Sequence, residues 1–491
     1  MNRETRRKRT PRSSGNLASV RNHQLFADLV DVVLPRGTLF SKEEFHGNIK
    51  WVPEQLAAQA LIWSWQDSRN VTDAFVKALE VCGRVGLTEV AANYTSFMNG
   101  LSRYQDVIGE RLRSRYQELA KEMGGRFFRT GQWALIAFDG SRATAPRSIV
   151  NENAFCAPHY GHGQTAKYGR PWKRAKQKLK RTQRQRNKVH PAEPQEPQVW
   201  ITMMWHMGLR LPWTWRLGPS NSSERGHVQE ILEEESFPEN TLFCGDAGFV
   251  GYPLWRSIIE MGGDFLVRVG ANVNLISEQA CFQKLRGGIV LCWPKGQIAA
   301  NQPPLKLRLV QVKVGKTRMW LLTSVLNGKA LTKTHIVQYY RMRWGIEVEF
   351  RGLKQTLDKH KLRCRNSDRL LVELDWSLSG MAIAELIALH QQRLTKVRKP
   401  AQYSPTDRSL ANTLRALRKC MRNLDRNVDT ANDLLTDLAK ATVQRYENRT
   451  DKRARYRTRN LDIKPLGDPV VRRIDSEERE KLRQFQSKSM T

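Results

Sequence analysis

Four residues at set intervals, Tyr340, Arg343, Glu347 and Lys354, form the most chemically specific pattern in the chain. Read as one helix over about 332–358, turning by roughly 100° per residue, they fall within an arc of roughly 60°. Ile346, Phe350, Leu353 and Leu357 fill the arc beside them, so an apolar stripe to bury runs along a polar one. Arg351 and Trp344 stand at the outer edge of the polar stripe. Glu349 points about 180° from Tyr340 and is expected to face away, which selects Glu347 as the working carboxylate. A lone acid flanked by a phenol and two bases can hold a polyanion beside a metal ligand. Taken alone, such a helix is also compatible with an ordinary solvated surface face.

Two further acids stand where apolar runs end. WALIAF (133–138) stops at Asp139-Gly140, and TLFCG (241–245) runs into Asp246-Ala247-Gly248. Singly, each reads as a turn former. Together with Glu347 they are three carboxylates from separate elements, the donor set that hard ions such as Mg²⁺ take. Phosphoryl transfer on DNA without a covalent enzyme intermediate is served by two such ions about 3.5–4 Å apart. Cys156, His159 and His162 could hold zinc, but no fourth ligand is evident and the spacing fits no common site, so they read as loop residues. Glu224 reads as stabilising a helix start.

The elements that must carry these acids are legible from pattern. VWITMMWHMG (199–208) and LRLPWTWRLG (209–218) are expected strands, SSERGHVQEILEEE a helix, YPLWRSIIEMGG a helix and DFLVRVG (264–270) a fifth strand. With the strands at 133–138 and 241–245 and the long helix after, this element order is the one found in ribonuclease-H-like α/β folds. Upstream, PEQLAAQALIWSW, VTDAFVKALEVCG and YTSFMNGLSRYQDVIGERLRSRYQELAKEM are helical, with Pro53 expected at a start and Gly83 at a stop. A helix-turn-helix between about 84 and 115 and a bundle used only for packing fit equally well.

The domain expectation is therefore a flexible basic arm (1–22), a helical DNA-binding domain (23–128), and a catalytic core beginning at 129–270 and interrupted by a disordered basic loop (163–198). A β-insertion (271–326), the catalytic helix with the remainder of the core (327–400), a C-terminal helical subdomain (401–450) and a basic disordered tail (451–491) follow. LLVELDWSLSGMAIAELIALHQQRL is expected as a second amphipathic helix packing on the sheet.

At 491 residues and a formal net charge of +34, the chain is expected to hold several domains and to bind a polyanion, nucleic acid by default. Seven scattered cysteines without C-x-x-C point to a reducing compartment. No apolar run reaches the roughly 18–20 residues of a membrane span, and no secretory signal opens the chain. A cytoplasmic protein is expected.

YRMRWGIEVEFRGLK, read as Tyr-x2-Arg-x3-Glu-x6-Lys, resembles the signature helix of DDE transposases of the insertion-sequence-four family. AFDGSR around Asp139, CGDAGF around Asp246 and GGDFLVRV resemble further stretches of that family, so the likeness runs from about 130 to 390. The resemblance implies two Mg²⁺ ions, with Mn²⁺ as a substitute, Asp139 bridging both and Asp246 and Glu347 each holding one. It implies that Tyr340, Arg343 and Lys354 contact DNA phosphates, that Arg268 lies near the DNA, and that Trp320 is the candidate for stacking on a base pulled from the duplex, against a core role for that indole. The implied activity is cleavage of the inverted-repeat ends of an insertion sequence and their joining to target double-stranded DNA by a homodimer, in a prokaryotic nucleoid. A nuclease or resolvase on the same fold, and a non-catalytic DNA-binding relative, are the competing readings.

Overall fold

The computed structural model describes residues 26–35, 37–156, 196–220, 222–278, 287–314, 317–394, 404–424, 434–443 and 466–488. The expected arm at 1–22, nearly all of the loop expected at 163–198, and His159 and His162 lie outside them. The described residues fall into two compact units, one drawn from Met1–Gly124 and Gln355–Val443, the other from Gly125–Lys354 and Gln444–Thr491.

The first unit is helical. Pro53–Trp65 is buried along its whole length, and Pro53 opens it because its missing N–H would be unpaired there anyway. Asn70 and Asn93 cap the helices Val71–Arg84 and Tyr94–Arg103. The first of these runs through Gly83, and the left-handed residue beyond its end is Gly86. The long helix expected after residue 94 breaks at Tyr104 and resumes as Gln105–Gly124. Ser367–Leu394, expected on the sheet, belongs to this helical unit, where it packs against Pro53–Trp65, Tyr94–Arg103, Gln105–Gly124, Leu410–Arg422 and Leu434–Ala439. The reason is burial on every face, from Val372 through Leu378 without interruption, which calls for a jacket of helices. Those last two short helices, expected as a separate subdomain, close on it through Gln392, whose amide donates to the carbonyls of Leu438 and Ala441.

The second unit is built on a ten-stranded mixed sheet, giving the protein a mixed α/β architecture. Its strands are β1 (Ala134–Thr144), β2 (Gln198–His206), β3 (Leu211–Gly218), β4 (Thr241–Gly245), β5 (Asp264–Val269), β6 (Asn274–Ser277), β7 (Gly287–Cys292), β8 (Leu305–Val314), β9 (Thr317–Thr323) and β10 (Val470–Arg473). They lie in the order β10-β6-β7-β8-β9-β5-β4-β1-β2-β3. The centre, β1, β4 and β5, is parallel, and its paired stretches 134–137, 242–245 and 265–267 are apolar and buried. β2 and β3 extend it antiparallel on one side. On the other, β9 pairs antiparallel with β5, so the expected insertion continues the same sheet. β1 does not turn at Asp139-Gly140; its antiparallel ladder with β2 carries it on to Thr144 after the parallel ladder with β4 has ended at Ala137.

The tail expected to be disordered contributes β10 and the helix Ser476–Lys488. Val470 and Val471 supply β-branched edge residues, while Ile474 and Leu482 join a cluster with Ile276, Leu291 and Trp293. The Phe485 ring meets Trp293 edge-on at 5.8 Å. That cluster supplies the apolar partner which the tail's own composition does not advertise.

The helix expected over 332–358 is segmented. Lys333–Arg343 starts at Thr332, whose hydroxyl accepts from the His335 N–H at 3.2 Å, and it ends at Trp344. Gly345–Arg351 follows, then a π turn over Gly352–Thr356. Gly345 sits where any Cβ would overlap the Trp205 ring, so only glycine lets the helix settle this closely on β2.

Candidate active site

The last parallel pair of β1 and β4 is Ala137 opposite Cys244. Asp139 and Asp246 each follow two residues later, which brings both acids to the same end of the parallel core. Each is held by a local N–H: Asp139 Oδ1 accepts from Gly140 at 2.8 Å, and Asp246 Oδ1 from Gly248 at 2.7 Å. Glu347, at the start of the Gly345–Arg351 helix, brings the third acid, with its side chain 42% exposed.

Arg343 joins them. Its Nη1 lies 3.8 Å from Asp139 Oδ2 and its Nη2 3.5 Å from Glu347 Oε1. The residue is 8% exposed, and its guanidinium lies 5.5 Å from the centre of the Tyr340 ring. Neither Nε nor Nη1 finds a hydrogen-bond acceptor among the described residues. A buried guanidinium with two idle donors has room for an anion that completes them.

The acids strain one another. Burial pushes the Asp139 carboxyl up to about 6; Asp246 and Glu347 push the same way, against the Gly140 N–H and Arg343. Glu224, the first residue of the helix Glu224–Glu234, is pushed up to about 7 by burial and by Asp139 and Asp246, with Arg142 opposing. It belongs to the same electrostatic group, which a helix-start role did not suggest. Its signal in sequence is positional: it follows β3, whose connection must bring the chain back across the sheet.

Among the described residues, no three His, Cys, Asp or Glu side chains converge tightly enough to enclose a metal ion, and Arg343 stands between Asp139 and Glu347 instead. The donor chemistry fits a hard divalent cation all the same: oxygen ligands only, from Asp139 and Asp246 at matched offsets beyond neighbouring strands and from Glu347 on the helix beside Arg343.

Other expected residues are distributed unevenly. Tyr340 is buried, and burial raises its phenol, with Arg343 and Arg268 opposing and Asp246 adding to the rise. Arg268 on β5 is half-buried and thus within the field of the site. Lys354 is half-buried on the π turn, and burial lowers its ammonium. Trp320 is 8% exposed and donates its indole N–H to Asp468 Oδ1 at 2.8 Å, which leaves little ring face for a base. Glu349 does not face solvent: it is 6% exposed and accepts from Trp205 Nε1 at 3.1 Å. The helix has two buried sides, its apolar stripe and the side seated on β2, whereas a single-stripe reading allows one.

Residues 202–378 match the family model described as "Transposase DDE domain", a span that includes Asp246 and Glu347 and begins after Asp139. A solved structure titled as a piggyBac transposase synaptic complex with hairpin DNA is similar at a TM-score of 0.35 and 11% identity, over 88% of this chain and 78% of that one. No curated protein matches the chain. Among the described residues, no helix is long and apolar enough to cross a membrane.

Proposed function

We propose that the chain is a DDE transposase that cuts the inverted-repeat ends of a mobile element and joins them to target DNA. The observation that carries this reading is the pair Asp139 and Asp246 at matched offsets beyond neighbouring parallel strands, linked through Arg343 to Glu347, two of the three acids lying in the segment that matches a transposase domain. The strand order β3-β2-β1-β4-β5, in which β2 alone runs against the other four, supports a ribonuclease-H-like core.

Asp139, Asp246 and Glu347 are the residues that would hold two Mg²⁺ ions, or Mn²⁺ in their place. Such ions, when bound, activate the attacking oxygen and stabilise the leaving one. Arg343 offers its idle donors to the phosphate under attack, and Tyr340 beneath it fixes the guanidinium plane. Lys354 and Arg268 supply further positive charge to the DNA backbone, most of whose nonspecific affinity falls steeply with salt. A homodimer, which brings two ends together, is the assembly this chemistry calls for, in a prokaryotic cytoplasm.

One observation favours a second reading, a DNA-binding relative without catalysis: Arg343 stands between Asp139 and Glu347 in the place of a cation. The assay that separates them incubates labelled element ends with Mg²⁺ and a target duplex. Cleavage with joining supports the transposase; cleavage alone makes it a nuclease or resolvase; binding without either makes it the inert relative.

A further inference from the structure

Glu224 has a local duty, as the acid in the first turn of its helix, but that duty does not call for burial. Ser223 already caps the helix, accepting from the Gly226 N–H at 3.3 Å. Among the described residues, no donor bonds or ion-pairs with the Glu224 carboxylate. It is nonetheless half-buried, and the backbone beside Asp139 makes room for it. A Cβ on Gly140, the neighbour of Asp139, would overlap Glu224 Oε1. A Cβ on Gly248 would lie 3.0 Å from Asp246 Oδ1 and 3.8 Å from Glu224 Oε2, so these two carboxylates flank one point. The independent sign that this place takes a ligand is Arg343, nine-tenths buried and aimed at Asp139 with two donors unfilled. A metal-bound phosphate satisfies both halves: the cation answers the carboxylates, and the anion answers the guanidinium.

We propose that Glu224 supplies a fourth carboxylate to the divalent-cation site formed with Asp139 and Asp246. This rests on the metal-dependent reading above.

The test uses the full chain, stripped of metal with EDTA and desalted, with Mn²⁺ as the probe and free Mn²⁺ read by its paramagnetic resonance signal, without DNA. Glu224→Gln is expected to weaken Mn²⁺ binding about tenfold, with a metal-free melting temperature no lower than the parent's. Glu233→Gln, on the exposed side of the same helix, should bind Mn²⁺ as the parent does. Gly140→Ala should weaken binding in the parent, by displacing the Glu224 carboxylate, and add nothing in a Glu224→Ala background. Parent-like Mn²⁺ binding by Glu224→Gln, with binding lost in Asp139→Asn, overturns the proposal and leaves Glu224 a helix-start residue. Weakened binding that comes only with a lower melting temperature also overturns it. If Asp139→Asn and Asp246→Asn bind like the parent too, the metal reading itself fails and Glu224 falls with it.

Discussion

Glu373 in the helical unit and Asp139 in the sheet unit are both carboxylates withdrawn from water, and they behave in opposite ways. Glu373 is fully buried. Burial pushes its carboxyl up, yet Lys359 at 2.9 Å and the N–H groups of Arg363 and Cys364, at 2.9 and 3.0 Å, outweigh that and hold it below the ordinary range. Asp139 keeps 19% of its side chain exposed, but one N–H and a guanidinium 3.8 Å away do not offset burial and two neighbouring acids, and its carboxyl rises to about 6. A charge answered by its own chain is architecture. A charge left short is what a binding site looks like before its ligand arrives.

The largest effect that can break this contrast is on chemistry. Asp139→Asn and Glu347→Gln should each reduce cleavage of labelled element ends by roughly 100-fold or more, while DNA affinity in a gel-shift assay stays within a few-fold of the parent. A parallel loss of binding would mean that these acids hold the fold and not a ligand. On stability the order reverses. Glu373→Ala leaves Lys359 and two N–H groups unanswered in the interior and should cost about 3–5 kcal/mol in urea unfolding. Asp139→Asn removes a mutual repulsion, so the metal-free chain should be at least as stable as the parent.

pH sharpens the same point. The folded-state carboxyls of Asp139 and Glu224, at about 6 and about 7, lie above their ordinary values of 3.8 and 4.5. Their contribution to stability is therefore full below those ordinary values and is lost as pH rises through 6 and 7. Glu373, held low, contributes above the ordinary carboxylate range and loses that contribution as pH falls. In EDTA, the melting temperature should decline from about pH 5 to about 7.5, and an Asp139→Asn, Glu224→Gln double variant should flatten that decline. A parent profile that is flat there would mean that these acids are better compensated than the geometry suggests.

What sequence could and could not see follows the same division between local and distant causes. The strand at WALIAF was legible because burial on both faces writes an unbroken apolar run, and the helix PEQLAAQALIWSW because apolar residues recur at helical spacing behind Pro53. That Glu347 and Arg343 share one side was legible because helical angles are local. Glu349 was misjudged because its burial depends on Trp205, a strand distant in sequence, and on Gly345 admitting that ring. Asp139-Gly140 carried the local marks of a turn, yet β2 holds the strand straight through it. The tail looked too polar to order itself, and its support is Trp293, far upstream. Glu224 was hidden by having an adequate local explanation; only Gly140, where a Cβ would overlap its carboxylate, gives its other role away.

The smallest expected effect concerns Trp320, a polar group whose need is met where those of Arg343 are not. Its N–H has one partner, Asp468, which is itself exposed and can turn to water when the indole is lost. Trp320→Phe should therefore cost about 1 kcal/mol in urea unfolding and leave DNA affinity unchanged. Were this ring to stack on a displaced base, the same substitution would weaken binding of cleaved ends by about 1–3 kcal/mol, roughly tenfold to a hundredfold. Running both measurements on one variant separates the two roles, because a buried indole tied to Asp468 moves the first number and a base platform moves the second.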